Sequence, residues 1–113
     1  MSWLKNMDKE TGISGGKKVH IELDKKVLGG KYVKVEVELE NGIIDNVIIS
    51  GDFFAFPIEE FENFLTSLRG IKFSREQINS VFKKFSDKIT FSGIAFDDLL
   101  EIFTQLLNKK DLA

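Results

Sequence analysis

The fold is decided by one stretch, Ile48-Ile49-Ser50-Gly51-Asp52-Phe53-Phe54-Ala55-Phe56-Pro57. Before it, apolar and polar residues alternate as in a half-buried strand, and after it apolar residues recur with the 3.6-residue period of a helix. A Gly-Asp pair, three phenylalanines and the one proline of the chain mark the change. The stretch is therefore predicted to join a sheet to a set of helices. Its aromatic side chains are expected to close the core or to face a partner.

Three strands are predicted before this joint, at about residues 18–24, 31–40 and 43–50. In the second strand, Val33, Val35, Val37 and Leu39 alternate with charged residues, which indicates one buried and one solvated face. The Asn-Gly pair at residues 41–42 is typical of a hairpin between the second and third strands.

Two turns fit this hairpin. A two-residue loop would place Ile44 and Ile48 on the face of the buried valines. A three-residue loop, with its glycine in the left-handed region, would place Ile43, Val47 and Ile49 there instead. We favour the three-residue loop, because it matches three apolar residues to the valine face rather than two. Either turn leaves apolar residues on the opposite face, which indicates a partner or cover by the N-terminal residues.

Three helices are predicted after the joint, at about residues 57–69, 74–86 and 95–108. Each carries its apolar residues on one face, and Ser74 begins a capping box. Strands followed by helices are the order of an α+β fold, so we predict a three-stranded antiparallel sheet with three helices packed on one face. Residues 1–17 are predicted to be a flexible leader, and residues 18–113 a single domain.

Composition argues against several classes of function. The 113 residues include no Cys and one His, which argues against disulfides, thiolate nucleophiles and a zinc site. His20 falls on the polar face of the first strand and is interpreted as a solvated side chain. The net charge of −2 argues against nucleic acid as a partner. No apolar run approaches a membrane span, and the chain is predicted to be cytoplasmic. We predict neither a catalytic group nor a metal site.

A series of motifs, in order, resembles the accessory domain of lipoate–protein ligases. The motifs are Gly29-Gly30-Lys31 before a valine-rich strand, the hairpin at Asn41-Gly42, Gly51-Asp52-Phe53-Phe54, Leu68-Arg69-Gly70, and Gly93-Ile94 before an acidic helix start. The resemblance extends over about residues 27–107, and residues 1–17 have no counterpart in it. It implies a non-catalytic accessory subunit that forms a heterodimer with a separate catalytic subunit. The pair would activate lipoate with ATP to lipoyl-adenylate and then transfer the lipoyl group to a lysine of a carrier protein.

The resemblance also implies cofactors, partners and site residues. This chain alone would bind no cofactor, whereas the complex would use lipoate, ATP and Mg²⁺. The carrier would be the lipoyl domain of a 2-oxoacid dehydrogenase or the glycine-cleavage H protein. Carried over to this sequence, the partner interface near the adenylate comprises Gly29, Gly30, Lys31, Gly51, Asp52, Phe53 and Phe54.

The residues themselves leave alternatives open. Lys31 is equally well explained as a solvated lysine at a strand start. For Asp52 we favour a structural role, as an acid that caps a helix or bonds the backbone of its own turn. The phenylalanines of the joint are expected to divide between the core and a partner face. A different class of function is a small α+β adaptor or scaffold unrelated to lipoate, with an iron–sulfur-scaffold-like fold, although the missing cysteines argue against sulfur chemistry. A self-sufficient enzyme using carboxylates is a third class.

Overall fold

The computed structural model describes residues 18–27, 29 and 31–112. Its elements, in chain order, are β1 (Lys18–Lys26), β2 (Tyr32–Glu40), β3 (Ile43–Gly51), β4 (Phe54–Phe56), α1 (Ile58–Leu68), α2 (Arg75–Phe85), β5 (Thr90–Ser92) and α3 (Phe96–Leu112). Strands β1, β2 and β3 form an antiparallel sheet in that order, and three helices follow. The predicted α+β fold is confirmed. The predicted leader lies outside the described residues.

The core lies between one face of this sheet and the helices. Val33, Val35 and Val37 of β2 are fully buried there, together with Phe64 of α1 and Phe103 of α3. Burial of each large apolar side chain stabilises the fold by roughly 1.5–3 kcal/mol. The alternating pattern of β2 therefore predicted its buried face correctly.

The hairpin between β2 and β3 has a two-residue loop. Glu40 pairs with Ile43, and the two loop residues, Asn41 and Gly42, have φ angles of 56° and 81°. Positive φ at both positions is the requirement of a type I′ turn, whose twist matches that of the flanking strands. The three-residue loop favoured from the sequence is therefore wrong.

A β-bulge lies two residues after this loop on β3. Leu39 pairs with Ile44, but the next residue of β2, Glu38, pairs with Asn46. Asp45 is thus an extra residue that has no counterpart on β2. A bulge of this kind shifts the alternation of the rest of its strand by one position.

The bulge explains why each of the two expected registers was only partly right. Ile44 lies on the core face, as the two-residue loop requires, while Val47 and Ile49 also lie on the core face, as the three-residue loop would require. Ile48 lies on the outer face of the sheet and is 47% exposed. An extra residue leaves no sequence signal of its own, so alternation gave the wrong face for Ile48 with the two-residue loop and for Ile43 with the three-residue loop.

A second, two-stranded sheet was not predicted. β4 pairs antiparallel with β5, and both strands have three residues, too few to show alternation. The Phe56–Pro57 peptide bond that follows β4 is cis. Pro57 is the N-cap of α1 rather than its first helical residue, and its carbonyl oxygen accepts from the Phe61 amide at 3.2 Å.

Candidate functional site

The end of β3 is tied to the start of β2 at Gly51-Asp52. The Asp52 amide donates to the Tyr32 carbonyl oxygen at 2.8 Å, and the Tyr32 amide donates to Asp52 Oδ2 at 3.1 Å. The Asp52 carboxylate therefore holds the start of β2 rather than its own turn. Because Lys31 directly precedes Tyr32, this tie brings two parts of the expected interface together.

Two glycines allow the backbones at this corner to touch. A Cβ on Gly51 would overlap the Tyr32 carbonyl oxygen and lie 2.8 Å from Val33 Cα. A Cβ on Gly93 would lie 2.5 Å from the Asp52 carbonyl oxygen. Both glycines also have positive φ, 147° and 99°, which other residues rarely adopt. The glycine of the Gly-Asp-Phe-Phe motif is thus required by backbone packing.

The phenylalanines after this corner divide between core and surface. Phe53 is half-buried, with its ring centroid 6.1 Å from that of Phe61 and 6.0 Å from that of Phe91. Phe54 and Phe56 are 70% and 55% exposed, and their rings stack with centroids 6.3 Å apart. Residues two apart on a strand share one face, so the short strand β4 presents both rings together.

The exposed ring pair lines an open groove of about 660 Å³, here called the aromatic groove. Ile58, at the start of α1, adds a third exposed apolar side chain and is 57% exposed. Phe54, Phe56 and Ile58 thus place three exposed large apolar side chains together at one groove. The groove is lined by Ile49, Ser50, Gly51, Phe53, Phe54, Ala55, Phe56, Ile58 and Phe61, none of which is ionisable.

The sequence-predicted interface residues are only partly brought together. Phe53 and Phe54 both line the aromatic groove. Gly29 lies in the turn after β1, and Lys31 is exposed, with its carbonyl oxygen accepting from the Val27 amide at 2.8 Å. Gly30 lies outside the described residues.

Two exposed groove residues were not in the predicted interface: Phe56, which was expected to lie either in the core or on a partner face, and Ile58, which was assigned to the core. Ile58 shares a helical face with Phe61 and Phe64, so the 3.6-residue period assigned it to the core. The available signal was the run of apolar residues from Phe53 to Ile58, immediately before the first acidic turn of α1. A strand of three residues cannot bury so many apolar side chains.

The model of the family described as "Bacterial lipoate protein ligase C-terminus" matches residues 17–103. The chain belongs to this family. A similar solved chain comes from an archaeal lipoylation system of Thermoplasma acidophilum, described as a bipartite lipoate protein ligase and its E2 lipoyl domain. That chain has 26% sequence identity and a TM-score of 0.57, and the alignment covers 79% of this chain and 97% of that chain. A search of curated proteins found no match.

The region matched to the lipoate protein ligase C-terminus contains both the Gly51-Asp52 corner and the aromatic groove. The resemblance stated from the motifs is thereby confirmed at the level of the family. Among its described helices, none has the length and apolar character needed to cross a membrane.

The outer face of the sheet in this ligase domain carries a charged cluster around His20. Its Nε2 atom lies 2.9 Å from Glu22 Oε1 and 3.6 Å from Glu36 Oε1, and its Nδ1 atom lies 3.8 Å from Glu38 Oε2. Lys34 Nζ lies 3.4 Å from the other oxygen of Glu22. His20 is solvated, as interpreted from the sequence. Its contacts with Glu36 and Glu38 across the sheet follow from the register of β1 against β2, which was not predicted.

His20, Glu22 and Glu36 are also placed so that they could hold a metal ion, because one ligand atom from each lies within 4.8 Å of the others. The group is open to water, and the Glu22 carboxylate already has a cationic partner in Lys34. Its geometry is fully accounted for as a surface ion-pair network.

The hydrogen bond to Glu22 raises the pKa of His20 above its ordinary value of 6.5, and the charges of Glu22, Glu36 and Glu38 act in the same direction. The protonated ring therefore stabilises the fold below pH 6.5, and this contribution is lost as the pH rises through the raised pKa. We expect an NMR titration of this single histidine to have its midpoint above 6.5. Glu22→Gln should lower that midpoint, whereas a wild-type midpoint at or below 6.5 would contradict the prediction.

Proposed function

We propose that this chain is the accessory subunit of a two-chain lipoate–protein ligase and is non-catalytic by itself. The observation that carries the proposal is the alignment with the Thermoplasma acidophilum chain, which covers 97% of that chain and comes from a bipartite ligase. The family match over residues 17–103 supports the same assignment.

The site chemistry fits an accessory role. Nucleophilic catalysis needs a nucleophile beside an activating base. His20 is surrounded by carboxylates on the outer sheet face and contacts no hydroxyl group in the described ion-pair and hydrogen-bond network. The aromatic groove carries no ionisable side chain. What the domain does offer is an exposed apolar surface next to the Gly51-Asp52 corner, which suits contact with another protein.

In the proposed reaction, the catalytic subunit joins the carboxylate of lipoate to the α-phosphate of ATP and releases pyrophosphate. An amine of the carrier lysine then displaces AMP, which completes the amide. This chain would complete the catalytic subunit for the first step, with the Gly51-Asp52 corner and the aromatic groove at the interface. Lys31, next to the corner, would offset negative charge near the adenylate.

The test is lipoate-dependent exchange of pyrophosphate into ATP by the catalytic subunit with and without this chain. We expect exchange only when both chains are present. Transfer from pre-formed lipoyl-adenylate to a carrier, measured in parallel, separates the two steps. Equal exchange without this chain would contradict the proposal, and exchange by this chain alone would show that it is catalytic.

Lys31→Ala should lower the rate of lipoate activation by about tenfold or more, because removal of one charge-stabilising group costs that much in an active site. The fold should be unaffected, since the side chain is exposed. Lys72→Ala is a matched control. Lys72 is also exposed, but its backbone forms an isolated β-bridge with Ile43 at the hairpin end of the sheet rather than at the Gly51-Asp52 corner. An unchanged exchange rate in the Lys31 variant would remove this residue from the interface.

A further inference from the structure

The three-stranded sheet has two outer edges, and they are built differently. β1, at one edge, has the sequence KVHIELDKK, and the Lys109 side chain of α3 donates to the Glu22 carbonyl oxygen of this edge at 2.9 Å. Charged side chains, lysines above all, are how proteins keep a sheet edge from pairing with another chain. Residues 46–51 of β3, at the other edge, contain no charged residue.

The first part of the β3 edge is hydrogen-bonded to the backbone of residues 70 and 71. The Ile44 amide donates to the Ile71 carbonyl oxygen at 2.9 Å, and the Gly70 amide donates to the Ile44 carbonyl oxygen at 2.8 Å. Beyond the bulge, no strand within residues 18–27, 29 and 31–112 pairs with this edge. Beyond the bulge Val47 is buried, whereas residues 48–51 are partly or fully exposed.

The backbone groups of Ile49 and Gly51 point away from β2. In an antiparallel pair, residues that bond the partner strand alternate with residues whose N–H and C=O face outward. The Asp52 amide bonds the Tyr32 carbonyl oxygen, so the residue two before it, Ser50, also faces β2. Ile49 and Gly51 therefore present the open edge.

This open edge is also part of the aromatic groove. The groove is lined both by residues 49–51 and by the exposed rings of Phe54 and Phe56. A charged ligand such as a nucleotide or a carboxylate would find no oppositely charged side chain in the lining. An extended polypeptide would find both backbone partners and apolar space for its side chains.

We propose that residues 49–51 and the aromatic groove form a strand-addition site for an extended apolar segment of the catalytic subunit. This inference rests on the proposed function and specifies how the two chains bind. The added segment bonds the backbone of Ile49 and Gly51, and its alternate side chains enter the groove against Phe54 and Phe56. Backbone bonds of this kind supply affinity, and the side-chain pockets supply selectivity.

The first test is amide hydrogen exchange of the full chain, alone and in complex with the catalytic subunit. We expect exchange at Ile49 and Gly51 to slow by about tenfold or more in the complex, because hydrogen-bonded amides exchange only through opening. Asp24 provides the internal control, since it lies two residues from Glu22 on the β1 edge and its outward amide should be unchanged.

Each outcome of this experiment has a separate meaning. A complex that forms without slower exchange at Ile49 and Gly51 overturns the strand-addition site but leaves the accessory role standing. Slower exchange in this chain alone, increasing with its concentration, overturns the inference in favour of pairing between two copies. If no complex forms, both the inference and the accessory role fail.

A pair of variants tests the backbone bond itself. Ile49→Pro and Ile49→Ala both lose the isoleucine side chain, but only proline also removes the outward N–H, and an edge strand tolerates it. We expect Ile49→Pro to bind the catalytic subunit about tenfold more weakly than Ile49→Ala, the effect of one lost hydrogen bond. Equal affinities of two folded variants would overturn the inference. Circular dichroism checks folding, and the exchange experiment decides the question if the proline variant does not fold.

Discussion

Gly51→Ala should lower the free energy of unfolding by about 2–6 kcal/mol. The added methyl group would overlap the Tyr32 carbonyl oxygen and lie 2.8 Å from Val33 Cα, so the start of β2 must move. Crowding of this kind costs about 1–3 kcal/mol. The unfavourable φ of 147° adds about 1–3 kcal/mol. Since small domains are stable by only about 5–15 kcal/mol, urea denaturation followed by circular dichroism should resolve the loss easily.

Gly29→Ala is the matched control for this prediction. Gly29 has a φ of 90°, but a Cβ there would meet nothing within 4 Å. Its replacement therefore carries the backbone cost without the crowding, and we expect a clearly smaller loss. Equal losses in the two variants would show that the close approach at the corner is not the cause.

Replacing both Phe54 and Phe56 with alanine should weaken binding to the catalytic subunit by about 2–4 kcal/mol, which corresponds to roughly 30- to 1,000-fold in affinity. Large aromatic side chains at the centre of an interface carry most of its binding energy. Because both rings are exposed in this chain, the free energy of unfolding should change by less than about 1 kcal/mol. Isothermal titration calorimetry measures the affinity, and urea denaturation measures the stability.

Two controls separate binding from folding in this experiment. Ile43→Ala also removes an exposed apolar side chain, but Ile43 adjoins the loop at the hairpin end of the sheet, and we expect its affinity to be unchanged. Phe64→Ala empties a fully buried position and should lose about 3–5 kcal/mol of stability. If the double variant binds as tightly as the wild type, the aromatic groove is not the interface.

The sequence predicted those parts of the fold whose signal repeats along the chain. The alternation of Val33, Val35 and Val37 identified the buried face of β2, and the 3.6-residue periods identified three helices close to their observed bounds. Ser74 was recognised as a cap, and its Oγ accepts from the Gln77 amide. These features depend on neighbours in sequence, which a single chain displays directly.

The features that the sequence did not predict depend on residues far apart along the chain. The bond between Asp52 and the Tyr32 amide joins positions 20 residues apart, and the sequence suggested a local turn instead. The division of the phenylalanines likewise depends on β5, which pairs with β4 and brings Phe91 against Phe53. The motif resemblance predicts that the corner is part of an interface, and its interface residues do not include the second exposed ring, Phe56.

The bulge at Asp45 also determines how the hairpin can vary in length. Loss of Asp45 would leave every remaining pair of β2 and β3 opposite its present partner, because this residue has none. Loss of a single residue between Ile48 and Gly51 would instead turn the following side chains to the other face of the sheet. Loss of one residue can therefore be accommodated beside the hairpin loop, while the part of β3 that lines the aromatic groove must keep its length.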